Sequence, residues 1–208
     1  MSSSRGTRGP YRKGTERREQ ILRAALEVFS EHGDRGSSLK EIARRVGLSQ
    51  AGVLHYFDSR EDLLVAVLQE RDALNAEAVS DAASVGEALA RTVGHNAEQP
   101  GLVDLFVTLS AGASDQDHPA HRFFADRYTR LSALAEDGLE RSQAHGEVRD
   151  DIEATHMARL LLAVSDGLQL QWLLNPELDM AGMVETFNRM CLAGPDERPD
   201  EAETATGS

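Results

Sequence analysis

A chain of 208 residues, 40% of them hydrophobic, is long enough to bury a substantial core, and its length suits one small module joined to a mid-sized one. The single cysteine, Cys191, excludes internal disulfides, and the longest uninterrupted apolar run, 63–68, falls far short of the roughly 18 residues that a membrane span needs. The net charge of −13 conceals two opposite fields: residues 1–60 hold 12 Lys/Arg against 7 Asp/Glu, whereas residues 61–208 hold 10 against 28, so a polyanion would be met amino end first.

In chain order, residues 1–14, "MSSSRGTRGPYRKG", are Ser, Gly and basic residues with almost no large apolar side chain, which predicts a disordered basic arm. Met1 and Tyr11 are the only apolar residues of the first twenty, too few for a signal-peptide core, and a cytoplasmic protein with no membrane partner is expected. Helical periodicity then takes over: Ile21, Leu22, Ala25, Val28 and Phe29; Leu39, Ile42, Ala43 and Val46; Leu64, Val67 and Leu68. Ser38 with Glu41 and Ser59 with Asp62 have capping-box spacing, Ser49 opens a helix of its own, and Gly33 and Gly47 stand where the preceding helices should stop. Further helices are expected at about 85–98, 101–113, 119–144, 152–174 and 180–192, giving about nine in all, with no strand. The end of the chain, 194–208, is acidic and Pro-punctuated, and is read as a disordered tail.

The stretch 39–57 has the dimensions of a helix-turn-helix: two short helices, a tight Gly47-Leu48 turn, and Ser49 as the cap of the second helix. In that geometry the first residues of the second helix face base edges in the major groove, and Gln50, Ala51 and Gly52 are small or hydrogen-bonding enough to do so. Gly52 costs about 1 kcal/mol against Ala in a helix interior, a cost that closer approach to the bases would offset. His55 and Tyr56 can donate to phosphates, Arg60 can reach the same backbone from the next helix, and Val53, Leu54 and Phe57 serve as apolar anchors.

Residues 17–64, above all "LKEIARRVGLSQAGVLHYFDSREDLL", resemble the DNA-binding domain of the TetR family of transcriptional regulators. The resemblance rests on His55-Tyr56-Phe57, Ser59-Arg60-Glu61 and Leu63-Leu64 after the helix-turn-helix. It implies base-facing roles for Gln50, Ala51 and Gly52 behind the Ser49 cap, phosphate contacts from His55 and Tyr56, and Arg60 in place of the family's phosphate-binding lysine, with Lys40 at the start of the supporting helix. Two positions differ from the family pattern: Gly52 stands where Thr is frequent, and Leu54 where Tyr is frequent.

The expectation is therefore an all-α chain, with a three-helix DNA-binding head at 15–62 and a helical ligand-binding and dimerisation body at 63–193. The partners expected are a near-palindromic double-stranded operator, a second copy of the chain and a small organic ligand. The competing reading is an all-helical interaction protein without DNA function. No catalytic residue, cofactor or metal is expected. Ser37 and Lys40 form a Ser-x-x-Lys pair without its partner motifs, and His118 and His121, a possible metal pair, are read as a solvated helix start.

Residues 152–174 are apolar around most of the helix, with Leu161, Val164, Leu168 and Trp172 on one face and Leu162, Leu170, Leu173 and Leu174 on another. With Met180, Met183, Val184 and Phe187 following, the last two helices are read as half of a four-helix dimer interface, as the family resemblance also implies. That resemblance places an effector cavity among the middle helices. Phe106, Leu109, Phe124, Tyr128 and Trp172 are the candidate lining, and His95 and Gln169 candidate polar groups.

Overall fold

The computed structural model describes residues 8–32 and 38–192; Gly33, Ser37, the side chain of Ser38 and the acidic carboxy-terminal stretch lie outside the described residues. Nine helices are described: α1 (Arg8–His32), α2 (Ser38–Val46), α3 (Gln50–Leu54), α4 (Arg60–Ala78), α5 (Val85–Ala97), α6 (Pro100–Gly112), α7 (His121–Ala144), α8 (Ala154–Leu174) and α9 (Met180–Cys191). The five helices expected between 85 and 192 are each present within about two residues of their expected ends. Among the described residues the only extended pairing is an isolated antiparallel bridge between Val148 and Leu192. No described helix is long and apolar enough to cross a membrane.

The helix ends follow from local chemistry. α1 begins at Arg8, inside the stretch read as a basic arm; Pro10 sits in its first turn, where a missing N–H breaks no helical bond. α2 stops at Gly47, whose φ of 67° is open to glycine at little cost, and the Leu48 N–H reaches the Ala43 carbonyl (2.9 Å) while the Gly47 N–H reaches that of Arg44 (3.3 Å). The same double bond closes α7 at Gly146, φ 68°. Serine hydroxyls open three helices: Ser49 Oγ accepts from Gly52 N (3.0 Å), Ser59 Oγ from Asp62 N (3.0 Å) and Ser84 Oγ from Glu87 N (3.1 Å). At α9 the Asp179 carboxylate does the same for Gly182 N (2.9 Å). α7 starts two residues later than expected because Asp115 accepts from the Asp117 and His118 N–H groups, and His118 Nδ1 from Ala120 N, holding the chain in turns up to Pro119.

The chain divides into two compact units, one of residues up to Glu77 with Asn96–Phe124, the other of Ala78–His95 with the residues from Ala125 onward. In the first, Ile21, Ala25, Val28 and Phe29 of α1 are buried, as are Ile42, Ala43 and Val46 of α2, Leu63, Leu64, Val67 and Leu68 of α4, and Leu102, Leu105 and Phe106 of α6. Both α2 and α6 pack on α1. By packing, α4 and α6 thus belong with the head.

In the second unit Leu139, Met157, Ala158 and Leu161 form a core joined by Val85, Leu89, Ile152 and Phe187. Gly138 lets α7 meet the amino end of α5, since a Cβ there would lie 2.4 Å from Val85 Cγ2. Replacing Gly138 by Ala should therefore lower unfolding stability, because overpacking of about 1–3 kcal/mol outweighs the roughly 1 kcal/mol that Ala gains in a helix. Val85→Ala in the same chain should restore most of the loss in a urea melt. A Gly138→Ala protein as stable as its parent would show that the contact is not tight.

Candidate nucleic-acid interface

α3 is a five-residue helix standing on two anchors: Val53, wholly buried, and Phe57, 4% exposed. With Val53 turned inward, Gln50 and Ala51 are exposed and Gly52 half-buried, so the first turn presents the three residues expected to face bases. The structure gives Gly52 an additional internal reason. A Cβ there would lie 3.3 Å from Ser49 Oγ and 3.4 Å from Leu48 Cβ, crowding the hydroxyl that caps the helix. The chain leaves α3 through His55 N to Ala51 O and Tyr56 N to Val53 O, both 3.0 Å. The His55 and Tyr56 rings then meet edge to face, 5.6 Å between centroids, with His55 exposed and Tyr56 half-buried. Arg60 opens α4 and Lys40 stands exposed on the first turn of α2.

The arginines around this surface divide into two kinds. Arg17 Nη2 donates to the Val46 carbonyl at 2.6 Å, adding a cation to the carboxy-terminal end of α2, and also bonds Gln20. Arg45 bonds Glu41 (3.0 Å) on its own helix and Glu31 (2.5 Å) and Glu27 (3.5 Å) on α1. Hydrogen bonds from Arg44 and then Arg45 hold the Glu41 carboxyl down at about 2, and those that Arg45 donates to Glu31 and then Glu41 raise its own guanidinium above the ordinary range. These three arginines brace α2. Arg18 is different: exposed, it lies over the Phe57 ring with its guanidinium carbon 4.7 Å from the centroid.

The residues expected to line an effector cavity fall into both units. In the first, Phe106 (2% exposed) and Phe124 (4%) pack at 5.4 Å, and Leu109 is buried on the same helix as Phe106. Beside them is a polar cluster absent from the sequence reading: Arg71 Nε and Asn75 Nδ2 both donate to Asn96 Oδ1, at 3.3 and 3.2 Å, and Arg71 lies 5.3 Å from the Phe106 centroid. All three are buried. In the second unit Tyr128 donates to Asp166 Oδ2 (2.6 Å) and lines a cavity of about 270 Å³ with Ser132, Arg159, Leu162, Ala163 and Asp166, more polar than expected. Gln169 is buried near Asp166, 3.5 Å from its Oδ1, and Trp172 is 9% exposed. A groove of about 490 Å³ lies between α5 and α9, lined by Glu87, Arg91, Glu185 and Arg189 among others. His121 Nδ1 lies 2.8 Å from the Ala113 carbonyl and His118 Nδ1 accepts from Ala120 N, so both rings have local partners. Among the described residues no three His, Cys, Asp or Glu side chains are grouped to hold a metal.

Comparison with known proteins agrees with this geometry. Residues 21–67 match the family model of bacterial regulatory proteins of the tetR family, and residues 87–194 match that of the BetI-type transcriptional repressor C-terminal region. The transcriptional repressor AcnR of Corynebacterium glutamicum is 27% identical over 157 residues, covering 74% of this chain and 81% of AcnR. The regulator RutR of Escherichia coli is 43% identical over 54 residues, 26% of each chain. A regulator from Saccharomonospora viridis, crystallised in complex with choline, shares the fold with a TM-score of 0.68 at 23% identity, over 86% of this chain and 99% of its own. The two matched stretches together take in the helix-turn-helix and the helices that follow it, and the chain belongs to the TetR family of bacterial transcriptional regulators.

Proposed function

We propose that this DNA-binding regulator is a cytoplasmic homodimeric repressor that holds a near-palindromic operator through α3 and is released by a small organic ligand. The observation that carries the reading is the exposed first turn of α3, presented by a glycine turn and a serine cap and backed by buried Val53 and Phe57. Gln50 and Ala51, with Gly52 allowing close approach, read bases; Lys40, His55, Tyr56 and Arg60 take phosphates; Ser49 holds the helix at its working angle. Repression is supported by relatives such as AcnR, named a transcriptional repressor.

Dimerisation is supported by large apolar side chains that the single chain leaves in water: Leu160 (51% exposed), Leu170 (48%) and Leu174 (81%) on α8, and Met183 (46%) and Met190 (66%) on α9. An effector is supported by the choline found in the Saccharomonospora viridis neighbour and by the cavity at Tyr128. A ligand that prefers a body conformation setting the two reading helices at the wrong spacing would lower operator affinity by population shift.

Selection from a random duplex pool should return inverted repeats whose half-sites lie about 34–36 Å apart, one helical turn; unpaired, asymmetric sites alone would sink the dimeric reading. Gln50→Ala should change base preference at one position of each half-site, at about 1–3 kcal/mol. Arg60→Ala should weaken all sequences alike and flatten the salt slope by about one unit per half-site; a shared pattern in both variants would undo the division of roles. Choline is the first ligand to titrate against Trp172, the only tryptophan, whose fluorescence should report occupancy. Tyr128→Ala should leave dimerisation and operator affinity near normal while abolishing both the fluorescence change and ligand-driven release. If Tyr128→Ala instead splits the dimer or unfolds the protein, Tyr128 is a core residue and the effector binds elsewhere.

A further inference from the structure

We infer that Arg18 of α1 is a phosphate contact, held in place for the DNA backbone by the ring of Phe57. The inference rests on the DNA-binding reading and extends the interface to a helix outside the helix-turn-helix. Its ground is the contact that Arg18 makes, set against those of three neighbouring arginines. In the head, Arg17, Arg44 and Arg45 spend their guanidinium edges on the chain itself, on the Val46 carbonyl, Glu41, Glu31 and Glu27. Arg18 makes no ion pair or hydrogen bond among the described residues; its guanidinium lies over the Phe57 ring.

That contact leaves the binding groups of Arg18 available. The ring offers no oxygen acceptor, so the N–H donors of a guanidinium held over it stay uncommitted to the chain and suit phosphate oxygens. The contact with the ring therefore restricts the side chain while leaving its donors to a ligand, which lowers the entropic cost of engagement. The location follows from the same contact. Phe57 directly follows Tyr56 and, with its ring 4% exposed, is fixed in the core beneath the end of α3, so the cation that covers it stands at the border of the reading surface. The arrangement gives a phosphate beside His55 and Tyr56 a guanidinium partner with several donors.

The test measures binding of the full chain to the selected operator and to a scrambled duplex of equal length, across a salt series, for the parent, Arg18→Gln and Arg18→Lys. Arg18→Gln keeps much of the stem and removes the charge. It should flatten the slope of log affinity against log salt by about one unit per half-site on both duplexes, with base preference and thermal midpoint close to the parent; each unit is about a fourfold difference in affinity between roughly 50 and 200 mM salt. Arg18→Lys, which keeps the charge but loses the planar guanidinium, should keep the slope and bind with intermediate affinity. An unchanged slope in Arg18→Gln, whether or not affinity or melting temperature falls, would reduce Arg18 to a structural cover for Phe57 and overturn the inference. An altered base preference would overturn it too, in favour of base reading. A parent protein without salt-dependent DNA binding would remove the underlying reading as well, and only that result does so.

Discussion

The reading surface depends on one backbone torsion, the positive φ of Gly47. At 67° this residue turns the chain out of α2 while the two bonds beneath it satisfy carbonyls that the helix end would leave without partners. No atom would obstruct a side chain here, so the constraint is one of conformation: an L-residue in this region costs about 1–2 kcal/mol. The direction of the turn brings Ser49 into position to cap α3, and the cap fixes where its first three residues point. Arg17 reinforces the same joint from α1 by binding the carbonyl of Val46.

Charge is used in two separate ways around that joint. The basic surplus of the first sixty residues suggests a diffuse attraction for a polyanion, yet Arg17, Arg44 and Arg45 are committed to internal bonds. What Arg45 supplies is rigidity: α2 cannot tilt against α1 without breaking its contacts with Glu27 and Glu31. In the proposed interface only a small set of residues at the edge of the surface meets phosphate, and this favours a defined register over a general stickiness.

Much of this was legible in the sequence. The Gly47 stop, the Ser49 and Ser59 caps and the inward positions of Val53 and Phe57 all follow from local rules of capping and period, which act within four or five residues. The helices of the body were placed by the same periodicity. What the sequence hid arises from contacts between distant residues. Arg71 and Asn75 lie in the polar-looking stretch "QERDALN", where nothing marks them as inward, and their burial depends on Asn96 being brought to them. The bracing by Arg45 joins residues 14 and 18 positions apart. The five aromatic and aliphatic residues read as one cavity lining were grouped by type; Phe106 and Phe124 pack together in the first unit, whereas Tyr128 turns its hydroxyl to Asp166 in the second.

The crowding at Gly52 bears on how such a regulator changes targets over evolutionary time. The stability of α3 is carried by Val53, Phe57 and the Ser49 cap, none of which occupies positions 50 and 51. Those two sites can vary with little cost to folding, so under the proposed reading of bases by α3 new operator preferences are accessible one substitution at a time. Position 52 is coupled to the cap: a β-carbon there would lie 3.3 Å from the cap hydroxyl, so a larger residue, such as the Thr frequent in the family, needs that hydroxyl to move by a few tenths of an ångström. Within three adjacent residues the chain separates what varies without touching the serine cap, positions 50 and 51, from what varies only together with it, position 52.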